Sequence, residues 1–305
     1  MRHIVSAFAI LVFFNNLIAQ KRIGYLASWS DGFEQVSFEH LTHVNFSFIT
    51  PYGNGSLRED RFEGDKLFDV VKKAKKTNTK VLLAIGGWEL GDGGGNDEAF
   101  ETLASNEKSI NAFVRAAMRM VDDYKLDGID IDWEYPDEGK SAENFAKLMK
   151  ALSLKLKEKN KLLTMAVVGH GEHTKGVLPE VFEYVDWVNI MSYDNAPGAH
   201  STFEYAVQCL NEWQAKGLSK EKTVLGLPFY GKYPETAYKD LVFKNKENAQ
   251  KDEEKGIHYN GISTIKAKTR LAMERASGIM IWEITQDAKG ELSLMKAIRE
   301  EMEKK

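Results

Sequence analysis

The sequence predicts a single α/β domain folded as a (β/α)8 TIM barrel, and three observations support this fold class. The chain of 305 residues is 43% apolar and 28% charged, which is typical of a globular protein. Short apolar runs alternate with amphipathic stretches, as expected of βα units on a parallel sheet. Eight such runs occur, whereas an open doubly wound sheet normally has about five to seven strands.

The predicted strands follow one another along the chain, with helical or loop segments between them. They are Arg22–Trp29, Leu41–Thr50, Lys80–Trp88, Asp127–Tyr135, Leu162–Gly169, Val185–Asp194, Thr223–Tyr230 and Gly278–Thr285. The clearest helix precedes the fourth strand, where apolar residues from Ile110 to Tyr124 recur at helical spacing. Ser141 is predicted to cap the next helix. No Pro-rich linker marks a second domain, so residues 20–305 are predicted to form one domain.

The first nineteen residues resemble a secretory signal peptide. Arg2 and His3 precede an apolar run that ends at Phe14, and cleavage is expected after Ala19. The run is short for a bilayer span, but Leu17 is unusual three residues before a cleavage point, so an uncleaved anchor is the alternative. We expect a secreted or periplasmic protein that has no membrane attachment after cleavage.

Charge and cysteine content argue against several classes of function. The net charge of -4 and the pI near 6.0 argue against a nucleic-acid partner, and a neutral polymer fits better. Cys209 is the only cysteine, so an intramolecular disulfide is excluded, and we expect a buried small apolar residue rather than a nucleophile. A metal site at His170–His173 has no evident third ligand, and Asp92 and Asp97 lack the regular calcium-ligand spacing. We therefore expect no metal and no cofactor.

The fourth predicted strand carries the most informative pattern. Asp130, Asp132 and Glu134 alternate with three large apolar residues, which places the three carboxyl groups on one face. An edge strand with its charged face in water is the alternative, but the central position of this strand in the βα order argues against it. Residues two apart on one strand face have Cα atoms about 6.6 Å apart, so their carboxyl groups inside a barrel would titrate together, and repulsion would keep one protonated. Glu134 stands nearest the C-terminal end, where barrel enzymes react, and a protonated Glu there is suited to general acid catalysis.

These residues form part of a longer motif. The motif reads Asp127-x-x-Asp130-x-Asp132-x-Glu134 and is followed by Tyr135-Pro136. It resembles the signature of glycoside hydrolase family 18, the family of many chitinases. Other stretches that match the family are Gly24-Tyr25, Ile85-Gly86-Gly87-Trp88, Met191 to Asp194, Gly226 to Gly231 and Gly278 to Glu283. The resemblance covers essentially the whole chain after residue 19 and implies a chitinase-like hydrolase acting on chitin or other N-acetylglucosamine-containing oligosaccharides.

The resemblance also implies a role for each matching residue. The reaction would be retaining and substrate-assisted, with the acetamide oxygen of the sugar attacking the anomeric carbon. Glu134 would serve as acid and then base, Asp132 would orient the acetamide N–H, Asp130 would share a proton with Asp132, and Tyr193 would bind the acetamide oxygen. Substrate-binding roles fall to Tyr25, Trp282, Met191, Asp194, Tyr230 and Trp88, and structural roles to Asp127, Gly86 and Gly87.

Three features separate this chain from many family members or leave a role open. Ala84 stands where the family often has a serine that can support the inner aspartate. The stretch from Gly231 to Ala276 is too short for a full α+β insertion after the seventh strand, so we expect an open groove and internal cleavage. Trp29 and Trp88 can each extend the sugar platform or merely pack, and the sequence leaves both possibilities open.

Two other functions remain as alternatives. An endo-β-N-acetylglucosaminidase releases N-glycans by the same chemistry. The segments Trp133 to Pro136 and Met191 to Asp194, however, resemble those of the family's chitinases more than those of its N-glycan hydrolases. A sugar-binding lectin on an inactive barrel usually lacks the acid, and Glu134 is present. We expect the protein to be a monomer.

Overall fold

A computed structural model of the chain describes residues 20–88, 97–196 and 198–304. The strands are β1 (Lys21–Ala27), β2 (His43–Ile49), β3 (Lys80–Gly86), β4 (Gly128–Asp132), β5 (Leu162–Val168), β6 (Trp187–Met191), β7 (Thr223–Pro228), β8 (Tyr230–Gly231), β9 (Thr236–Ala237), β10 (Glu253–Glu254), β11 (Ile257–His258) and β12 (Gly278–Trp282). The strands β1 to β7 and β12 close into a parallel barrel in which β1 pairs with both β2 and β12. The predicted (β/α)8 barrel is confirmed.

Helices cover most of the outer surface of the barrel. They are α1 (Gly64–Lys75), α2 (Glu98–Ala104), α3 (Glu107–Tyr124), α4 (Lys140–Glu158), α5 (Phe203–Ala215), α6 (Tyr238–Lys244), α7 (Ile262–Arg275) and α8 (Leu294–Met302). Two of the eight expected crossover helices are replaced by pairs of short 3-10 turns. These turns span Phe33–Gln35 and Phe38–His40 after β1, and Glu172–Gly176 and Pro179–Glu183 after β5. The βα alternation is therefore regular on most of the barrel.

The helix before β4 matches its sequence pattern, but the cap of the following helix differs. In α3 the apolar residues predicted to face the sheet, such as Ile110 and Phe113, are buried. Helix α4 begins at Lys140 and its N-cap residue is Gly139, so the prediction that Ser141 caps it is wrong. The Ser141 hydroxyl lies within the first turn, accepts a hydrogen bond from the backbone N–H of Asp137 and donates one to Glu101.

The apolar core has two layers, as the alternation along the strands requires. The larger layer fills the space between the barrel and its helices, and it includes Ile129 and Ile131 of β4. Cys209 of α5 is buried in the same layer, which confirms the packing role expected for it. The smaller layer includes Tyr25 of β1 and Met280 of β12 and lies on the opposite face of the strands.

The segment after β7 is small and partly regular. Two antiparallel hairpins, β8–β9 and β10–β11, flank the short helix α6, and α7 then occupies the place of a barrel helix. A full α+β domain is not inserted between residues 229 and 277, all of which are described. No helix of the described ranges is long and apolar enough to cross a membrane. The predicted signal peptide at residues 1–19 lies outside these ranges.

Candidate active site

The three carboxyl groups of the motif lie together at the C-terminal end of β4. Asp130 and Asp132 belong to the strand, and Glu134 follows its last residue by two positions. Asp130 is fully buried, and Asp132 and Glu134 expose only 3% and 7% of their surface. The edge-strand alternative is wrong, because β4 is hydrogen-bonded to β3 on one side and β5 on the other.

Asp130 is held by hydrogen bonds that cross the interior of the barrel. The Tyr25 hydroxyl of β1 donates to Asp130 Oδ2 at 2.5 Å, although β1 and β4 are not neighbouring strands. Thr164 of β5 donates to Oδ1, and Asn189 Nδ2 of β6 lies 3.1 Å from the same oxygen. Burial raises the pKa of Asp130 to about 6, and these donors oppose a larger rise. Ala84 pairs directly with Asp130 in the sheet, so other strands supply the missing hydroxyl partner.

Asp132 and Glu134 have fewer donors than Asp130. Burial, followed by the charges of Glu134 and Asp130, raises the pKa of Asp132 well above its usual value. Its Oδ1 atom is buried and accepts no hydrogen bond from the described residues. Burial raises the pKa of Glu134 to about 7, with a further contribution from the charge of Asp194 and an opposing hydrogen bond from Tyr135. A carboxyl group with this pKa retains a proton near neutral pH.

A second polar cluster lies where β6 and β7 end. The Tyr230 hydroxyl donates to Asp194 Oδ1 at 2.7 Å, and His200 Nδ1 and Lys232 Nζ lie 3.3 Å and 3.4 Å from the same oxygen. Burial alone would raise the pKa of Asp194, but the hydrogen bonds of His200 and Tyr230 and the charge of Lys232 lower it. The Tyr193 hydroxyl is near the Met280 sulfur, at 3.8 Å. Asp194 is therefore held as an anion beside Asp130, Asp132 and Glu134, which together form the acidic row of the site.

Aromatic side chains form one wall of the site. Trp282 at the end of β12 stacks on Phe48 with 5.6 Å between ring centroids and 20° between planes. Its other neighbours are Tyr25 at 5.7 Å and Trp29 at 6.4 Å. Trp29 exposes 65% of its surface, so it does not simply pack in the core.

These groups line one cleft of about 1020 Å³ at the C-terminal ends of the strands. Its lining includes all the residues predicted to act in catalysis or binding except Asp130, which lies beneath the cleft floor: Tyr25, Trp88, Asp132, Glu134, Met191, Tyr193, Asp194, Tyr230 and Trp282. Trp29, Arg58, Arg61, Tyr233 and Glu235 also line it. This volume is at the upper end of the range for ligand pockets and leaves room for several sugar units.

The residues expected to be structural connect β3 to β4. Asp127 Oδ2 accepts a hydrogen bond from the backbone N–H of Val81 at 2.9 Å, and it is absent from the cleft lining. Gly86 has φ +123°, and a Cβ atom there would lie 2.1 Å from the carbonyl oxygen of Asp132. Gly87 N donates to that same oxygen at 2.7 Å. The two glycines therefore let the end of β3 approach the backbone that carries the acidic row.

The weak metal hypotheses find no support among the described residues, where no group of three His, Cys, Asp or Glu side chains is arranged to hold an ion. His170 Nδ1 pairs with Glu212 at 3.0 Å, and the ring of His173 packs on Tyr135 at 5.0 Å. Asp97 accepts the indole N–H of Trp133 at 2.9 Å. Asp92 lies outside the described ranges.

Several residues of the site were not singled out from the sequence. Thr164 and Asn189 hold Asp130, and a signal for them exists, because each is a lone polar residue in an apolar strand. His200 and Lys232 hold Asp194 from loops, where polar residues are ordinary and carry no signal.

Comparison with known proteins agrees with this geometry. The model of the family described as glycosyl hydrolases family 18 matches residues 21–287. The chain belongs to glycosyl hydrolases family 18. This membership confirms the family and the glycoside hydrolase class predicted from the sequence. The match includes every strand of the barrel and both polar clusters of the cleft.

Solved structures of family 18 proteins resemble this chain over most of its length. A chitinase from Bacteroides thetaiotaomicron is 29% identical, has a TM-score of 0.82, and matches over 93% of this chain and 96% of its own. The GH18 chitinase ChiB from the chitin utilization locus of Flavobacterium johnsoniae is also 29% identical, with a TM-score of 0.81 over 92% of this chain and 93% of its own.

Among curated relatives, a probable endochitinase of Caenorhabditis elegans is 29% identical over 229 residues. The matched segment covers 63% of this chain and 36% of the relative. A class V chitinase of Lotus japonicus is 26% identical over 242 residues, which are 69% of this chain and 59% of that protein. The chain thus spans less than two thirds of either curated relative.

Proposed function

We propose that this protein is a chitinase that cleaves β-1,4 linkages next to N-acetylglucosamine, with Glu134 as acid and base. The observation that carries the proposal is the buried Glu134, which has a pKa of about 7 and lies in an aromatic-lined cleft beside Asp132. The relatives named above are described as chitinases. A cleft lined by exposed rings suits a polymer whose sugars present apolar C–H faces.

The first proton transfer belongs to Glu134. With a pKa of about 7, its carboxyl group carries a proton in a large fraction of molecules at neutral pH. It donates this proton to the glycosidic oxygen as the bond to the anomeric carbon breaks. The acetamide oxygen of the same sugar attacks that carbon and forms a cyclic oxazolinium ion, so the protein supplies no nucleophile. The Glu134 carboxylate then takes a proton from water, whose oxygen attacks the anomeric carbon and reopens the ring with the original configuration.

Asp132 stabilises the acetamide during this sequence. Its Oδ1 atom is buried without a partner among the described residues, and leaving such an acceptor unpaired costs about 1–3 kcal/mol. An acetamide N–H would satisfy that oxygen and would become more acidic as positive charge develops on the oxazolinium ion. Asp130 and Asp132 titrate together, because the negative charge of Asp130 helps to raise the pKa of Asp132. A proton can therefore be shared between the two aspartates.

The surrounding residues orient the sugar. Among the described residues, the Tyr193 hydroxyl has only a weak sulfur acceptor, Met280, and it can donate to the acetamide oxygen instead. Asp194 accepts hydrogen bonds from sugar hydroxyls while Tyr230, His200 and Lys232 hold it in place. The Trp282 ring, supported by Phe48, offers a flat apolar face to the sugar at the cut.

The substrate is tested by product analysis. The wild-type protein is incubated with N-acetylglucosamine oligomers and with a high-mannose glycoprotein, and products are identified by mass spectrometry. We expect shorter N-acetylglucosamine oligomers, with the β anomer formed first by NMR. Released glycans alone would instead make the protein an endo-β-N-acetylglucosaminidase, and binding without any product would make it a lectin.

We also propose that residues 1–19 act as a signal peptide and that the barrel is exported as a monomer. The support is the order of charged and apolar residues before Ala19. Expression of the full chain in a bacterial host, followed by N-terminal sequencing of the exported protein, tests this. A mature chain that begins at Gln20 agrees with the proposal, and a membrane-bound chain that begins at Met1 contradicts it.

A further inference from the structure

A tight turn at the rim of the cleft carries an aromatic residue with no assigned role. The turn joins β8 to β9 and comprises residues 232–235. Tyr233 at its tip lines the cleft and exposes 51% of its surface. An aromatic side chain left half in water beside a binding cleft forgoes the burial that normally stabilises it.

The backbone of Tyr233 is also unfavourable. Its φ angle is +63°, in the left-handed region that large side chains avoid. Glycine or asparagine would adopt this conformation more easily and would be the usual choice at such a turn. Residues kept in unfavourable conformations concentrate at ligand sites, which makes the ring of Tyr233 a candidate contact.

The turn is held firmly on both sides. Lys232 and His258 exchange two backbone hydrogen bonds of 2.9 Å and 3.0 Å, which join the turn to β11. The Lys232 ammonium lies 3.2 Å from Glu235 and 3.4 Å from Asp194. These contacts tie the residue next to Tyr233 to β11 and to Asp194, so the backbone of the turn has less freedom to lose on binding.

Exposure alone does not single out Tyr233. Phe243 of α6 exposes 91% of its surface but does not line the cleft. The other exposed aromatic residues that share the cleft with Tyr233 are Trp29 and Trp88, with 65% and 57% of their surface in water. Tyr233 therefore resembles the two tryptophans in being an exposed ring that lines the cleft. Its neighbour Lys232 contacts Asp194, so Tyr233 lies on the side of the cleft that carries Asp194.

We propose that Tyr233 forms an outer sugar subsite, in which its ring stacks on the apolar face of an N-acetylglucosamine unit beyond those bound at the acidic row. This inference rests on the proposed function and deepens it, because it makes the short β8–β9 turn a determinant of preferred chain length. A long oligomer reaches the subsite, and a disaccharide bound at the acidic row does not.

The test compares binding of oligomers by calorimetry in a protein that cannot turn them over. In the Glu134→Gln background, Tyr233→Ala is expected to weaken binding of the hexasaccharide about tenfold while binding of the disaccharide is unchanged. Tyr233→Phe keeps the ring and should retain the hexasaccharide affinity. Phe243→Ala, which removes an exposed ring elsewhere, is the matched control and should change neither affinity nor melting temperature.

The outcomes separate the subsite from the proposed function. Unchanged hexasaccharide binding in Tyr233→Ala, or an equal loss for both ligands, overturns the subsite while leaving chitin cleavage by the wild-type protein intact. If the wild-type protein neither binds nor cleaves these oligomers, the proposed function fails, and the subsite fails with it.

Discussion

Glu134 and its neighbouring aspartates differ in the hydrogen bonds they receive, although all three are buried. Desolvation of an ionised carboxylate costs several kcal/mol unless donors replace the lost water. Asp130 receives bonds from Tyr25 and Thr164 and has a pKa of about 6, whereas Glu134 has a pKa of about 7. A proton on Glu134 lies at the cleft surface, whereas Asp130 is absent from the cleft lining.

The pKa of Glu134 predicts how activity depends on pH. Because the acid must be protonated, kcat/KM should fall about tenfold per pH unit above about 7. The charge of Asp194 helps to raise this pKa, so Asp194→Asn should make Glu134 easier to ionise and move the alkaline limb to lower pH. The pH dependence of kcat/KM on a soluble oligomer measures both.

Asp194→Asn also weakens sugar binding, so its absolute kcat/KM does not isolate the charge effect. The pH at which kcat/KM begins to fall measures that effect. Asp122→Asn removes an exposed carboxylate that is paired with Lys159 and serves as the control. A limb that stays in place in Asp194→Asn would show that the negative charge does not act on Glu134.

The sequence predicted the acidic row but not all the groups that hold it. A period of two along one strand is enough to place Asp130, Asp132 and Glu134 on one face. The bond from Tyr25 to Asp130 joins residues 105 apart in the chain, and no periodicity within a strand predicts which side chains meet across a barrel. His200 and Lys232 were missed for a different reason, because they lie in loops, where polar residues are ordinary.

At the level of elements, the approach of β3 to β4 controls where the acidic row lies. Gly86→Ala would place a methyl group against the Asp132 carbonyl oxygen, and that atom cannot move without moving the row. We expect a loss of about 1–3 kcal/mol in the free energy of unfolding and a lower kcat/KM. Thermal unfolding and steady-state kinetics measure the two effects.

Gly171→Ala is the matched control for that substitution. Gly171 also has a positive φ, +102°, but a Cβ atom added there would have nothing within 4 Å. It therefore carries the backbone penalty without the contact. If both variants lost the same free energy of unfolding and the same kcat/KM, the close approach of β3 to β4 would not control the position of the acidic row.

Asp127 is expected to affect stability and not chemistry. Asp127→Ala removes the acceptor for the Val81 N–H at the start of the β3–β4 pair, which should lower the free energy of unfolding by about 1–3 kcal/mol. Asp127→Asn retains an acceptor oxygen and should lose less. Active-site titration corrects kcat for the folded fraction, and a large drop in corrected kcat would contradict a purely structural role.

The elements were predicted better than their ends. All eight barrel strands were identified, because burial on both faces leaves a nearly continuous apolar signal in most of them and β4 shows a strict alternation of apolar and acidic residues. The predicted cap at Ser141 was wrong because its hydroxyl is hydrogen-bonded to Asp137 and Glu101, and because Gly139 is the N-cap residue of the helix. Local preference for a capping residue was overridden by these tertiary contacts.

For the whole molecule, the closure of the barrel was predictable from the sequence, whereas the shape of its open end was only partly predictable. Counting eight βα units was sufficient to predict a closed sheet, which is completed by pairing of β1 with β12. The short length of the segment after β7 correctly excluded a full insertion. The hairpin that carries Tyr233 was not predictable, because β8 and β9 are only two residues each and have no periodicity to read.

The most direct test of the account is the turnover of N-acetylglucosamine oligomers by Glu134→Gln. The variant keeps the size of the side chain but has no acidic proton, so kcat should fall about 10²–10⁴-fold while calorimetry shows that the oligomers still bind. Glu158→Gln, on the exposed end of α4, is the control and should retain wild-type kcat. Wild-type kcat in Glu134→Gln would contradict the assignment of Glu134 as the proton donor.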